Sequence, residues 1–207
     1  MQKIKSLFKR DYEGNRQVID EVVPGSEWVQ NGEGVATIKQ DGTSCLIRDG
    51  RMWKRYDRKL SDQAMRRKKK GDSGPWELAD YKAAPDGWEA AETGPDENTG
   101  HWPGWLPVGD TPDDQWHREA FDPSLPDGTY ELVGPKVQGN LYNLPKHELW
   151  KHGAQTTQAP RTFGELKEWF GSHAIEGIVW HHPDGRMVKI KRKDFGLQWP
   201  DESASTN

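Results

Sequence analysis

The apolar runs of this chain are short, rich in β-branched residues and broken by turn dipeptides, and that pattern most restricts the folds open to it. In ATIKQDGTSCLI (residues 36–47), Ile38, Leu46 and Ile47 favour strand on both sides. Asp41-Gly42 between them favours a turn, because glycine takes φ > 0 without steric cost. The same grammar recurs. VIDEVV precedes Pro24-Gly25, and GTYELVG stands at 128–134. IEGIVWHH and MVKIKRK are joined by Pro183-Asp184-Gly185. Residues 34–59 read as a β-meander of EGVATIK, TSCLIRD and RMWKRYDRK, with turns at Gly42 and Asp49-Gly50. Two stretches read as helices. SDQAMRRKKK (61–70) has Ser61 as N-cap and Gly71 as stop. TFGELKEWFG (162–171) places Phe163, Leu166, Trp169 and Phe170 at helical spacing, with Thr162 as cap and Glu165 at the capping-box position. The expected class is α+β, with antiparallel sheets and helices outside them.

A mean hydropathy of -1.02 raises the question of disorder. Eleven tryptophans answer it, since each large aromatic buries about 150–250 Å². A chain of 207 residues suits one domain, expected over residues 1–200 with a polar tail at 201–207. Residues 71–128, rich in Gly, Pro, Asp and Trp, read as a loop-rich insertion pinned by Trp88, Trp102, Trp105 and Trp116. The net charge of -4 gives no global basic signature, so any nucleic-acid contact needs a local patch. The run RRKKK (66–70) is such a patch, or simply a solvated helix end. A single cysteine, Cys45, excludes an intrachain disulfide framework and a cysteine zinc cluster, and reads as a small buried hydrophobe. The histidines show no metal spacing, and His181 and His182 should point to opposite faces of a strand. With no secretory leader and no run near the ~20 apolar residues of a membrane span, a soluble, intracellular, cytoplasmic monomer is expected.

Four strand segments carry charge where a half-buried strand prefers apolar residues: Lys39 in TIKQDG, Glu131 in TYELVG, Glu176 in AIEGIVW, and Lys189 with Lys191 in MVKIK. Strand alternation points Lys189 and Lys191 the same way, with Val188 and Ile190 opposite. Taken singly, each is ordinarily a solvated strand residue. Together, two cations on one face call for an anion and two glutamates call for a cation. A nucleotide polyphosphate with Mg²⁺ meets both demands.

In order and approximate spacing, Lys39-x-Asp41-Gly42, Glu131-Leu-Val-Gly134, Glu176-Gly177-Ile178-Val179 and Lys189-x-Lys191 resemble motifs I, III, IV and V of the covalent nucleotidyltransferases: DNA ligases, RNA ligases and mRNA capping enzymes. MWKRYDRK, PDENTGHWPGWLPV, YELVGPKVQGNLYNLPKHELWKHGA and IEGIVWHHPDGRMVKIKRKDFGLQWP are similar to the animal-type 5′–3′ RNA ligase family over most of residues 35–200. The resemblance implies an adenylation domain whose antiparallel sheets form a nucleotide cleft. From the length after motif V, no appended OB domain is expected.

It also implies three steps. A lysine attacks the α-phosphate of ATP to give lysyl-AMP, AMP passes to an RNA 5′-phosphate, and a 3′-OH displaces AMP to seal the strand. Lys39 would be the nucleophile, with burial, Lys189, Lys191 and metal expected to lower its pKa from the ordinary ~10.4. Lys189 and Lys191 would contact the α-phosphate. Glu176 would help bind Mg²⁺ or Mn²⁺. Glu131 would contact the ribose or organise the metal. Arg55 matches an arginine that reaches ribose or phosphate in RNA ligases. Ser44 stands where DNA ligases usually carry arginine, which favours the RNA type. Backbone groups at Thr37 and Ile38 would read adenine, and Trp150 would stack on it. The implied partner is RNA with 5′-phosphate and 3′-OH ends. The alternatives are a GTP-dependent capping-type enzyme, and a non-catalytic RNA- or nucleotide-binding module.

Overall fold

A computed structural model describes residues 4–96 and 100–199. The tail at 201–207, and residues 97–99 of the Trp-rich segment, lie outside the described residues. In chain order the elements are β1 (Lys5–Ser6), β2 (Phe8–Arg10), β3 (Val18–Val22), α1 (Glu27–Gln30), β4 (Val35–Lys39), β5 (Thr43–Arg48), β6 (Arg51–Arg58), α2 (Asp62–Lys69), β7 (Glu89–Ala90), β8 (Trp102–Pro107), α3 (Gln115–Ala120), β9 (Gly128–Val133), β10 (Glu148–Lys151), α4 (Phe163–Ser172), β11 (Gly177–His181) and β12 (Met187–Lys191). Two compact units result. One comprises Gly42–Lys151, the other Ile4–Asp41 and residues 152–199. Among the described residues no helix is long and apolar enough to cross a membrane.

The discontinuous unit is built on a four-stranded sheet in the order β1-β12-β11-β4. Its pairs are antiparallel except for the parallel β1–β12. One face carries Ala36, Ile178, Trp180, Val188 and Ile190, all buried, against Leu7, Phe8, Phe195 and the Leu166 and Phe170 of α4. Each fully buried Leu, Ile or Phe contributes about 1.5–3 kcal/mol, so this alternation fixes which strand face is left for polar side chains. The predicted helix at 162–171 is present as α4, with Thr162 at the N-cap position as expected but without a side-chain cap bond. The Thr162 hydroxyl donates to the Glu165 carboxylate at 2.6 Å and accepts no backbone N–H. At the other end of α4 the buried Arg192 guanidinium donates to the carbonyls of Phe170 and of His173, the latter at 2.7 Å, which satisfies acceptors that a helix end leaves open.

The contiguous unit carries a six-stranded antiparallel sheet in the order β10-β9-β5-β6-β8-β7. Cys45, Ile47, Met52, Tyr130 and Leu132 fill one face under Trp116, Phe121 and Leu149. Cys45 is fully buried, as expected, and burial raises its thiol pKa. A smaller cluster of Leu60, Ala64 and Tyr81, with Trp76 and Trp102, seats α2. Ser61 caps α2 as predicted, its Oγ accepting from Ala64 N–H at 3.2 Å.

The structure departs from the sequence expectation at two places. The meander breaks at Asp41-Gly42: β4 and β5 flank that pair yet belong to different sheets, β4 pairing with β11 and β5 with β6 and β9. The Trp-rich segment also supplies β8, which pairs along β6 from Arg58↔Trp102 to Trp53↔Pro107 despite Pro103 and Pro107. Trp88 lies against Gly104, where a Cβ would meet its ring at 2.1 Å, and its Nε1 donates to Tyr56 O at 3.0 Å. The tryptophans of this segment therefore act as packing residues here.

Candidate active site

In the discontinuous unit, β11 lies between β4 and β12, and Gly177 is the register partner of both Lys39 and Lys191. Directly opposed residues of antiparallel strands share a face, so the two lysines flank a glycine on the face opposite the Ile178–Ile190 core. Glu176, one residue before β11, lies beneath them with its side chain 6% exposed. Its Oε2 is 2.5 Å from Lys39 Nζ and its Oε1 is 2.5 Å from Lys191 Nζ. Lys39 Nζ also donates to Gln40 O at 3.1 Å. Lys189 stands one cross-strand row away, opposite Val179, which in turn faces Thr37.

Gly177 has to be glycine for this convergence. A Cβ there would meet Ile190 O at 2.4 Å. Gly177→Ala is expected to lower unfolding free energy by about 1–3 kcal/mol through overpacking, measured by urea denaturation. An unchanged midpoint would show that the strands simply move apart.

Asp41 adds a second carboxylate. Burial first, and Glu176 next, raise its pKa above the ordinary carboxylate range, against the opposing pull of Lys191, Lys39 and Lys193. From sequence Asp41 is a turn residue and a member of motif I; its coupling to Glu176 is not legible there, because it depends on a strand pairing far away in the chain. Lys191 is further anchored through its backbone: its N–H donates to the buried Asp194 carboxylate at 3.0 Å, and Asp194 is ion-paired with Arg10.

Thr37 is buried, its Oγ1 donating to Val179 O at 3.2 Å and lying 3.0 Å from His181 Nε2. The Ile38 N–H donates to Gln155 O at 2.8 Å, and Thr157 N–H to Ala36 O at 3.0 Å, so residues 155–157 occupy the outer edge of β4. His182 contacts Glu33 at 2.9 Å and packs on Trp28, apart from the partners of its neighbour His181.

In the contiguous unit the register sets Ser44, Glu131 and Trp150 side by side across β5, β9 and β10. Cys45 opposes Lys54, so alternation puts Arg55 on the same face as Ser44. Four residues selected from sequence therefore share the sheet face opposite the Cys45–Tyr130 core. Glu131 is buried and accepts the Gly42 N–H at 2.9 Å. Ser44 Oγ is buried and has no hydrogen-bond partner. Arg55 is ion-paired with Asp57 and lies over the Trp105 ring at 5.5 Å. Trp150 packs against Tyr142 at 4.8 Å and donates from Nε1 to Glu148 at 2.9 Å.

The expected metal would have to share Glu176 with two lysines, since both carboxylate oxygens are ion-paired. Among the described residues no group of three or more His, Cys, Asp and Glu is placed to hold an ion. Mg²⁺ needs no such cage, because it keeps several waters and binds through one or two carboxylates plus substrate phosphates. Asp41 and Glu176 are the carboxylates on that part of the chain, and the Glu176 charge helps raise the Asp41 pKa.

The chain is similar to known proteins. A family profile described as RNA ligase 1 matches residues 123–207, a span that includes Glu131, Trp150, Glu176, Lys189 and Lys191. RNA ligase 1 of Danio rerio is 32% identical over 222 aligned positions, covering 80% of this chain and 68% of that protein. RNA ligase 1 of Rattus norvegicus is 34% identical over 223 positions, with the same shares of each chain, as is that of Mus musculus. Similarity at this level, across most of the chain and more than two thirds of each relative, shows that the chain belongs to the RNA ligase 1 family.

Proposed function

We propose that this protein is an ATP-dependent RNA ligase that joins 3′-OH and 5′-phosphate ends through lysyl-AMP and AppRNA. The observation that carries this reading is the convergence of Lys39 and Lys191 on one buried carboxylate, Glu176, in a chain whose relatives are named RNA ligase 1. In the first step Lys39 Nζ forms a P–N bond to the α-phosphate as the bond to pyrophosphate breaks. The ammonium must first shed a proton to solvent, and the Glu176 carboxylate, 2.5 Å away, orients the amine. Lys191 and Lys189, on the same strand face, offset the charge that develops on the α-phosphoryl oxygens. In the second step an RNA 5′-phosphate oxygen takes the adenylyl group, breaking the P–N bond and returning Lys39. In the third a 3′-OH attacks the activated 5′-phosphorus and AMP leaves. Mg²⁺ or Mn²⁺, held by Glu176 with Asp41, would neutralise phosphate charge. Glu131 and Arg55 are proposed to bind the ribose or a phosphate, Trp150 to stack on adenine, and Ser44 Oγ to offer its open valence to the nucleotide.

The test is a denaturing gel after incubation with Mg²⁺ and α-labelled ATP or GTP. Label retained from ATP is the expected result. Label from GTP alone would make the protein a capping-type enzyme. No label from either, in folded protein not already adenylylated and tested also with Mn²⁺, would leave a non-catalytic binding module.

A further inference from the structure

The run RRKKK takes no part in the chemistry above, and its setting gives it another use. α2 is held to the protein by little: Ala64 is its only buried residue, and Met65 is 40% exposed. The last turn and C-cap are Arg66, Arg67, Lys68, Lys69 and Lys70. One cation there complements the helix dipole. Further cations at i,i+3 and i,i+4 spacing repel one another. Arg67 is neutralised by Asp72 and Asp80 at 3.1 and 3.0 Å and lies over Trp76. Among the described residues no carboxylate pairs with Arg66, Lys69, Lys70 or Lys59, all exposed. At the other end of α2, Lys59 and Lys82 flank a cavity of about 160 Å³ walled also by Tyr56, Arg58, Ala83 and Asp57, whose charge is offset by Arg55. Lys82 pairs with the exposed Asp62 at 3.3 Å, a pair of little strength in water. α2 is about 12 Å long, so the Lys59–Lys82 pair and the Arg66–Lys70 cluster stand at its two ends, on either side of Asp62, Gln63, Ala64 and Met65, in a chain whose net charge is -4.

We infer that this cationic stripe, from Lys59 and Lys82 to Arg66, Lys69 and Lys70, docks the phosphodiester backbone of the RNA substrate. A polyanion relieves the unpaired repulsion and releases its counterions on binding. The exposed ring of Tyr56 (38% exposed) offers a stacking surface beside Lys59. The inference rests on the RNA-ligase reading and adds to it a binding surface that the nucleotide chemistry does not require.

The test uses the full chain and a 5′-phosphorylated single-stranded RNA oligonucleotide, titrated at several salt concentrations. In Arg66→Ala/Lys69→Ala/Lys70→Ala the slope of log affinity against log salt should fall by about 2, at roughly 0.7 per lost phosphate contact on a single strand. Binding at low salt should weaken at least about tenfold. Lysyl-AMP formation, measured without RNA, should be unchanged, because none of these residues belongs to the Lys39–Glu176–Lys191 group. The corresponding triple glutamate variant should weaken binding further. An unchanged slope and affinity would overturn the inference. So would a wild type that forms lysyl-AMP but binds no RNA, which leaves nucleotidyl transfer standing. RNA binding that depends on α2 in a protein forming no lysyl-AMP would support the surface and sink the ligase reading.

Discussion

Lys39→Ala is expected to abolish covalent labelling by α-labelled ATP and all sealing of 5′-phosphate RNA, with signal at least about 10²-fold below wild type. No neighbouring amine substitutes easily. Lys191 Nζ is the nearest in role, but it is held at 2.5 Å on Glu176 Oε1 by a strand whose own register places it across Gly177 from the attack position. Stability should change far less than activity. Removing Lys39 leaves Glu176 still paired with Lys191, so the unfolding free energy should fall by no more than about 1 kcal/mol, the range of partly exposed ion pairs. Lys39→Arg should keep the fold and charge yet still form no adduct, which separates a nucleophile from a structural cation. A labelled Lys39→Ala protein would refute the assignment, and peptide mapping would then locate the amine that reacts.

Glu176→Gln should have the opposite balance, with a large effect on both. The amide keeps the volume and removes the charge that lies between two ammonium groups. Lysyl-AMP formation should fall at least about 10²-fold, comparable to losing one group from an electrostatic site. Breaking a fully buried pair costs about 3–5 kcal/mol. The two lysine side chains are 22% and 19% exposed, so a loss of about 1–3 kcal/mol is expected in urea denaturation. The double variant Lys39→Ala/Glu176→Gln supplies the decisive comparison. With one ammonium gone the repulsion is relieved, and the double should be less destabilised than the sum of the singles. Strict additivity would mean that the three groups do not act as one cluster.

Much of the site was legible from the chain. Lys39, Glu131, Glu176, Lys189 and Lys191 each stood out as a charge in an apolar, β-branched run, and the structure puts three of them in one cluster around Glu176. Ser61 as a cap, Cys45 as a core residue and the two faces of His181-His182 follow from local rules of capping, burial and strand alternation. Other features escaped those rules. Pro103 and Pro107 speak against a strand, yet β8 forms because β6 and packing tryptophans hold it. Thr162 had the right type and spacing for a capping box but pairs with Glu165 through side chains alone.

By itself the sequence determined the short strands, the two principal helices, the order of the charged motifs and the family to which they point, because each of these depends on neighbours within a few residues. Only the tertiary structure decided which sheet each strand joins. Asp41-Gly42 looks like a hairpin turn, but β4 finds its partner in β11, and the Lys39–Glu176 contact closes over 137 positions of chain. Burial of the Ile178–Ile190 face selects that pairing over the local one, and in doing so it brings Gly177 between two lysines and their ammonium groups onto a single carboxylate.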